Sequence, residues 1–263
     1  MDIFFRWIEK HHKFVRACLA LILGVGLGIL RIKTDMSWIL LIGLLLWGSI
    51  LVSVVSTYPL MRFQRRALKI LTEQCDPFPL LKEMQDQVSH GYAQPLDTVL
   101  RIDLAVALFN CGSEQTALDV MRLIPVETTK KLSPIHKALY YYNLAFFRME
   151  TGDFEGSEEA YRRFGEIAVG KVRKAFMKKY PEIFEMSEAE HLYRMGDYAA
   201  ALEKARRIRH KSASAKVGGA LFCARCAIAL GDRNAARQDL NFVIENGNRL
   251  SEVDKAWKLL MNM

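Results

Sequence analysis

Residues 189–201, AEHLYRMGDYAAA, contain the pattern that decides the fold. A small residue, Ala189, lies seven positions before Gly196, and a second small residue, Ala201, lies five positions after it. The surrounding residues are mostly helix formers, and glycine commonly ends a helix in a left-handed turn. The stretch therefore predicts two helices joined by a tight turn, with small side chains where the helices cross.

The same pattern occurs at three further glycines, Gly112, Gly152 and Gly231. The residue seven positions earlier is always alanine, and the residue five positions later is always small. These positions are Ala105, Ala145 and Ala224 before the turn, and Ala117, Ser157 and Ala236 after it. The four glycines are 40, 44 and 35 residues apart, and no stretch past residue 70 alternates as a strand would. The sequence thus predicts an all-α chain with about four helix–turn–helix units.

These units resemble the tetratricopeptide repeat, a helix–turn–helix unit of about 34 residues. The best-matching positions are Ala189, Gly196, Asp197, Tyr198 and Ala201. The resemblance covers roughly residues 98–250, and a partial unit precedes it, ending at Asp76-Pro77 after a helix predicted over Leu68–Cys75. It implies an α-solenoid in which each unit buries its apolar stripe against the next and the first helices line a concave face.

A partner-binding groove on that concave face is the main site that the resemblance implies. Its expected residues are Ile102, Val106, Phe109, Tyr142, Phe146, Met149, Met186, Tyr193, Arg194, Leu221 and Arg225. Such an apolar and aromatic groove with cationic ends suits an amphipathic helix or an extended peptide. The alternative is that Tyr140–Tyr142 and Phe146-Phe147 fill the core.

Two apolar runs near the N-terminus predict a transmembrane helical hairpin. The 26 residues from Met36 to Met61 carry no charge, and a bilayer core needs about 20 apolar residues as a helix. The earlier run, Ala17–Leu30, is shorter, but flanking basic side chains that extend toward the headgroups lengthen it to Phe14–Ile32. We expect spans at about 14–32 and 36–58, with Pro59 where the second helix leaves the membrane.

Ala20, Gly24 and Gly28 recur every four residues in the first span and place small side chains on one stripe. Such a stripe lets another helix approach closely. The interpretation we favour is packing inside the hairpin; contact with another membrane protein is the alternative.

The net charge of +8 is concentrated beside these runs. Residues 1–35 hold +3, residues 62–69 hold +4, and the rest of the chain holds +1. Because positive flanks stay on the cytoplasmic side, we expect a two-span cell-membrane protein whose N-terminus and C-terminal domain are both cytoplasmic. The exit side chains Arg62, Arg65, Arg66 and Lys69 could also attract anionic lipid.

Candidate chemical groups are few. Cys223 and Cys226 form a C-x-x-C pair that could serve thiol redox chemistry or half a zinc site, but packing is favoured because no second ligand pair follows. The carboxylates Glu158-Glu159 and Glu188/Glu190 are expected on solvated faces. We predict no catalytic residue, metal site or cofactor.

Two basic clusters, within residues 162–179 and 204–216, are expected to be solvated faces, with an acidic lipid, peptide or nucleic acid as the alternative ligand. Nucleic acid ranks last because no recognised nucleic-acid fold accompanies them.

The sequence therefore predicts a non-enzymatic, membrane-anchored scaffold or adaptor that recruits a protein or peptide. Its parts are a cytoplasmic arm (1–13), the hairpin (14–61), a juxtamembrane helix with a partial repeat (62–97) and the repeat domain (98–263). The alternatives are an accessory or regulatory subunit of a membrane complex, held through the hairpin, and a thiol-redox or metal protein using Cys223 and Cys226.

Overall fold

The computed structural model describes residues 2–34 and 37–263, without the side chains of residues 2, 3, 9, 53 and 55–57. Every regular element in these ranges is a helix, so the all-α prediction is confirmed. The chain divides into two compact units, Met1–Arg66 and Ala67–Met263.

The first unit contains α1 (Asp2–Lys10), α2 (His12–Thr34) and the start of α3 (Trp38–Gln74). Helix α2 is long and apolar enough to cross a membrane, with 23 residues and a mean hydropathy of 2.0. The apolar part of α3 within the described side chains, Trp38–Val52, is shorter. The connection between α2 and α3 includes residues 35 and 36, which lie outside the described residues.

Helix α3 does not end near Pro59 but continues through it to Gln74. A proline removes one helical hydrogen bond and strains the preceding turn, which a long helix with intact bonds on both sides can accommodate. The helix then stops at Cys75, whose φ is 55°, directly before Asp76-Pro77, where the sequence predicts the end of a unit.

The small-residue stripe is not the closest point between α2 and α3. A Cβ added at Gly24 or Gly28 would meet no described atom within 4 Å, whereas a Cβ at Gly48 would overlap the Leu23 side chain. Gly24 and Gly28 therefore make no close contact with a described atom of α3, and their role in helix packing stays a prediction. Ala20 lines a shallow pocket between the two helices together with Leu23.

The second unit continues with pairs of antiparallel helices. They are α4 (Phe78–Ser89), α5 (Leu96–Asn110), α6 (Glu114–Arg122), α7 (Pro134–Glu150), α8 (Phe154–Ile167), α9 (Gly170–Lys179), α10 (Pro181–Arg194), α11 (Tyr198–Arg207), α12 (Ala213–Ala229), α13 (Arg233–Asn246) and α14 (Ser251–Met261). Helix pairs α5–α6, α7–α8, α10–α11 and α12–α13 are the four units that the glycine pattern predicts.

The four turns have the same geometry. Gly112, Gly152, Gly196 and Gly231 have φ between 79° and 83°, a region that a side chain disfavours. In each turn the amide after the glycine donates to the carbonyl oxygen five residues earlier, at 2.9 or 3.0 Å. The aligned small residues on both sides are buried, from Ala105 to Ala236. The equal local geometry explains the regular sequence pattern.

The unequal spacing of the units has a simple structural origin. Helix α9 is inserted between α8 and α10 and lengthens the second spacing, while the loop 123–133 between α6 and α7 lengthens the first. Phe176 of α9 is completely buried among aromatic side chains of α7 and α8, so the insertion is part of the core.

The end of the helical array returns to its beginning. Asn248 donates a side-chain hydrogen bond to the carbonyl oxygen of Gln74 at 2.7 Å, and the Ser251 hydroxyl donates to the carbonyl oxygen of Phe109 at 3.2 Å. The backbone amide of Arg249 donates to the Cys75 carbonyl oxygen at 3.1 Å. The last helices of the second unit therefore contact its first ones.

Candidate binding cavity

A cavity of about 210 Å³ lies between α7, α10, α12 and α14. Its apolar wall consists of Tyr142, Phe146, Ile183, Met186, Leu221 and Phe222. The polar wall consists of Glu150, Glu182, Glu190, His210, Arg225 and Glu252. This combination of an apolar wall with a few fixed polar groups is typical of binding sites.

Small residues in α12 help to form the space. Ala215, Gly218 and Gly219 line the cavity on one side of this helix. A Cβ at Gly219 would overlap the His210 ring, so the glycine lets that ring lie directly against α12. The His210 side chain is held there beside Glu182, with Nδ1 3.5 Å from a carboxylate oxygen.

A network of buried charges joins three helices at one end of the cavity. The Glu150 carboxylate is only 3% exposed; Arg225 Nη2 donates to it at 3.0 Å and Lys255 Nζ at 2.8 Å. Burial opposes ionisation of Glu150, but Arg225 and Lys255 together hold its pKa below the usual value. Lys255 also pairs with Glu114 at 2.5 Å. This network links α7, α12 and α14 and places fixed charges at the cavity wall.

Glu190 is the most perturbed acid in the wall. It is 3% exposed, and the Tyr142 hydroxyl donates to its Oε1 at 3.3 Å. Burial raises the pKa of Glu190 to about 8; Arg194 partly opposes this and the charge of Glu150 adds to it. The side chain is therefore mostly neutral at pH 7.

Glu252 in the first turn of α14 is a second acid of the cavity wall with a raised pKa. Burial raises its pKa, and the charge of Glu150 adds to the effect, whereas Lys255 opposes it. Among the described side chains, no Lys, Arg or His lies within ion-pair distance of Glu190 or Glu252.

Five of the eleven predicted groove residues meet in this cavity. They are Tyr142, Phe146, Met186, Leu221 and Arg225. The alternative that the aromatic run fills the core holds for Tyr140 and Phe147, which are buried. Tyr142 and Phe146 are half-buried and face the cavity.

The other six predicted residues lie elsewhere. Ile102, Phe109 and Met149 are buried in the core, and Val106 packs against the same core. The α5 residues of this set pack against α6 and α7 in this core, with the Phe109 and Phe147 ring centres 4.3 Å apart.

Tyr193 and Arg194 also lie outside the cavity wall. The Tyr193 ring packs against Tyr198 and Phe222. The Arg194 side chain is 3% exposed, pairs with Glu158 at 3.2 Å and lies 4.6 Å from the centre of the Tyr161 ring. Both side chains are used in packing between helices.

The acids of the cavity are what sequence reasoning missed. Glu190 is not on a solvated face, because α10 is covered by its neighbours along that stripe. The other missed wall residues are Glu150, Glu182, Ile183, His210, Ala215, Gly218, Gly219, Phe222 and Glu252. The sequence contains a signal for three charged wall residues, because each lies four positions after a predicted apolar groove residue and so shares its helix face. The pairs are Phe146–Glu150, Met186–Glu190 and Leu221–Arg225.

Burial disfavours the thiolate form of the paired cysteines. Cys223 and Cys226 are buried, and burial raises their pKa values to about 11 and about 12. A reactive or metal-binding cysteine needs a thiolate at neutral pH. Within the described residues no group of three or more potential metal ligands occurs.

Ion pairs neutralise only part of the basic clusters. Arg162 pairs with Glu159 and Glu166, Lys204 pairs with Glu188, and Arg206 pairs with Asp239 at 2.9 Å. The exposed lysines that remain in the first cluster are on α9, namely Lys171, Lys174, Lys178 and Lys179.

Comparisons with protein-family models, curated proteins and solved structures give no match for this chain. The likeness to the tetratricopeptide repeat therefore rests on the sequence pattern and stays a prediction.

Proposed function

We propose that this protein is a membrane-anchored adaptor with tetratricopeptide-like helical units, and that it binds a segment of a partner protein in the cavity. The observation that carries the proposal is the convergence of Tyr142, Phe146, Met186, Leu221 and Arg225, from three separate helices, on one cavity. The same residues follow from the repeat pattern alone. Binding residues on different helices of a rigid scaffold are well suited to recognition.

The proposed anchor is a hairpin with spans at about 14–32 and 36–58. Helix α2 is long and apolar enough to cross a bilayer, and exposed apolar side chains such as Ile22 and Ile39 continue along α2 and α3. The basic flanks favour an orientation with the N-terminus and the helical units in the cytoplasm. Tethering would raise the effective concentration of the cavity for partners at the same membrane.

The size of the cavity limits the kind of ligand that it can hold. A helix with side chains is about 10–12 Å across, and drug-sized pockets occupy about 300–1,000 Å³. A cavity of about 210 Å³ instead suits a single side chain. We therefore propose an extended partner segment that inserts one side chain, in place of a docked amphipathic helix.

Site-specific photo-crosslinking in cells tests this function. A benzoylphenylalanine at Met186 would lie in the cavity wall, and one at Met195, which is 70% exposed at the end of the same helix, is the matched control. We expect a discrete crosslinked product in the membrane fraction from position 186 and none from position 195. Equal products at both positions, or none at 186, would contradict the proposal.

The second candidate is an accessory subunit that contacts a membrane complex through α2. The open space around Gly24 and Gly28 favours it, because a partner helix could approach there. In this case Gly24→Leu with Gly28→Leu should release the protein from its complex on blue native gels, while Gly26→Leu, in an equally open position, should not.

A further inference from the structure

We propose that the cavity recognises a cationic side chain, lysine or arginine, of the inserted segment through the carboxylates of Glu190 and Glu252. The inference rests on the proposed function and names the chemistry of its ligand.

Two acids of the cavity wall have no cationic partner. Glu150 is neutralised by Arg225 and Lys255, which both donate to it. Glu190 and Glu252 line the same cavity, and no described cationic group lies within ion-pair distance of either. A cation that entered the cavity could therefore pair directly with either acid in its ionised form.

Arg194, the arginine on the same helix as Glu190, makes other contacts, while its Nη2 is buried without a hydrogen-bond partner among the described residues. The Arg194 guanidinium pairs with Glu158 through Nε and lies over the Tyr161 ring. It weakens the effect of burial on Glu190 from a distance without forming an ion pair. A cation that entered the cavity could approach Glu190 directly.

Glu190 also has an unused acceptor. Its Oε1 accepts the Tyr142 hydroxyl at 3.3 Å, while Oε2 accepts no hydrogen bond from the described residues. The residue is 97% buried and lines the cavity. Oε2 is not fully enclosed, so it faces accessible space in the cavity wall, where an ammonium or guanidinium would donate to the ionised carboxylate.

The rest of the wall fits the stem of such a side chain. Lysine and arginine join an apolar stem to a charged head. Ile183, Met186 and Leu221 form an apolar surface, and the rings of Phe146 and Phe222 line the same space. Aromatic faces attract cations as well as apolar stems. An anionic side chain would instead meet two unpaired acids.

Binding of a cation is linked to a proton. Burial keeps Glu190 mostly protonated, with Tyr142 and Glu150 facing it from α7 and Arg194 on its own helix. The other charged or titratable groups of the wall are Arg225 of α12, Glu252 of α14, Glu182 of α10 and His210. A cation favours the ionised form, so binding should release a proton and strengthen as the pH rises through about 8.

The test uses the full chain in detergent micelles with ¹³C-methyl methionine. The methyl resonance of Met186 is assigned with Met186→Leu and followed by NMR during titration with n-butylguanidinium, n-butylurea and pentanoate. We expect butylguanidinium to bind at least about 10-fold more tightly than its neutral isostere butylurea, with no binding of pentanoate. We also expect its affinity to rise about 10-fold between about pH 6.5 and about pH 8.5.

Variants assign the effect to the two acids. Glu190→Gln and Glu252→Gln should each lower the affinity for butylguanidinium about 5-fold or more. Glu190→Gln should also remove most of the pH dependence of this affinity. Glu185→Gln, at an exposed position of α10, should leave the affinity unchanged. Circular dichroism of each variant shows whether it is folded.

The wild-type comparison decides the question even if a variant does not fold. The proposal is overturned if butylurea binds as tightly as butylguanidinium, if pentanoate binds, or if no compound shifts the Met186 resonance. Cation binding without a crosslink at Met186 would refute the adaptor function but leave the cation site. A crosslink at Met186 without a preference for the cation would refute the cation site but leave the adaptor function.

Discussion

The guanidinium of Arg225 in α12 is paired with the carboxylate of Glu150 in α7, although 75 residues separate them in sequence. Neither group is fully solvated, and Glu150 is nearly inaccessible. This pair connects two units of the array across the cavity. A buried pair of this kind is costly to break, because the remaining charge stays buried.

Removal of that cation should therefore destabilise the fold. We expect Arg225→Met to lower the free energy of unfolding by about 3 kcal/mol, even though Lys255 still contacts Glu150. Arg207→Met, which removes an exposed pair with Glu203, should cost less than about 0.5 kcal/mol. Urea denaturation of the full chain in detergent, followed by circular dichroism, measures both. Equal losses would show that the Glu150 network is not a structural link.

Glu190 should make the stability fall as the pH rises. Its folded pKa of about 8 exceeds the ordinary value of 4.5, so between these limits the folded protein holds a proton that the unfolded chain has released. The free energy of unfolding then decreases by up to about 1.4 kcal/mol per pH unit from this group.

Glu190→Gln should flatten this part of the pH profile and raise the urea midpoint at pH 8. Glu159→Gln is the control, since hydrogen bonds from Arg162 lower the pKa of the exposed Glu159 and any effect belongs below pH 4.5. An unchanged slope in Glu190→Gln would mean that Glu190 is ionised in the folded protein.

Substitution by alanine should have opposite effects on stability at a turn glycine and at a helical glycine. An added Cβ meets no atom within 4 Å at Gly196 or Gly165, so steric space does not distinguish them. Gly196 has φ of 81°, and Gly196→Ala should cost about 1–2 kcal/mol. Gly165→Ala in α8 should stabilise by about 0.5–1 kcal/mol. Thermal unfolding should show Tm changes of opposite sign.

The buried thiols should be slow to react. At pH 8 only a small fraction of Cys223 and Cys226 is thiolate, because burial raises their pKa values to about 11 and about 12. We expect iodoacetamide to modify both at least about 100-fold more slowly than a cysteine introduced by Met195→Cys, an exposed position. Peptide mass spectrometry gives the rates. Rapid labelling of Cys223 would contradict this prediction and support a redox role.

Local features of the fold were predictable because they depend on neighbouring residues. The turns at Gly112 and Gly196 need only a positive φ and small residues in register, both of which the sequence displays. The end of α3 before Asp76-Pro77 is of the same kind. Such local features do not depend on how the rest of the chain packs.

The cavity was only partly predictable because it depends on distant packing. The repeat pattern identifies which face of α7, α10 and α12 points inward, and hence Phe146 and Met186. It does not show how closely α7 packs against α5, where Phe109 stacks on Phe147 in the core instead of facing the cavity. An isolated glutamate such as Glu190 looks the same on a solvated stripe as on a covered one until the neighbouring helices are placed.

The return of the array to its start has a consequence for biosynthesis. The hydrogen bond from Asn248 to Gln74 joins residues that are 174 positions apart. At translation rates of about 5–20 residues per second, the earlier partner waits about 10–35 s for the later one. During that interval the apolar face that α13 and α14 will cover, which includes Leu80 and Met84, is open to solvent. The nascent chain, more than the finished protein, is therefore the form most prone to aggregation and most dependent on chaperones.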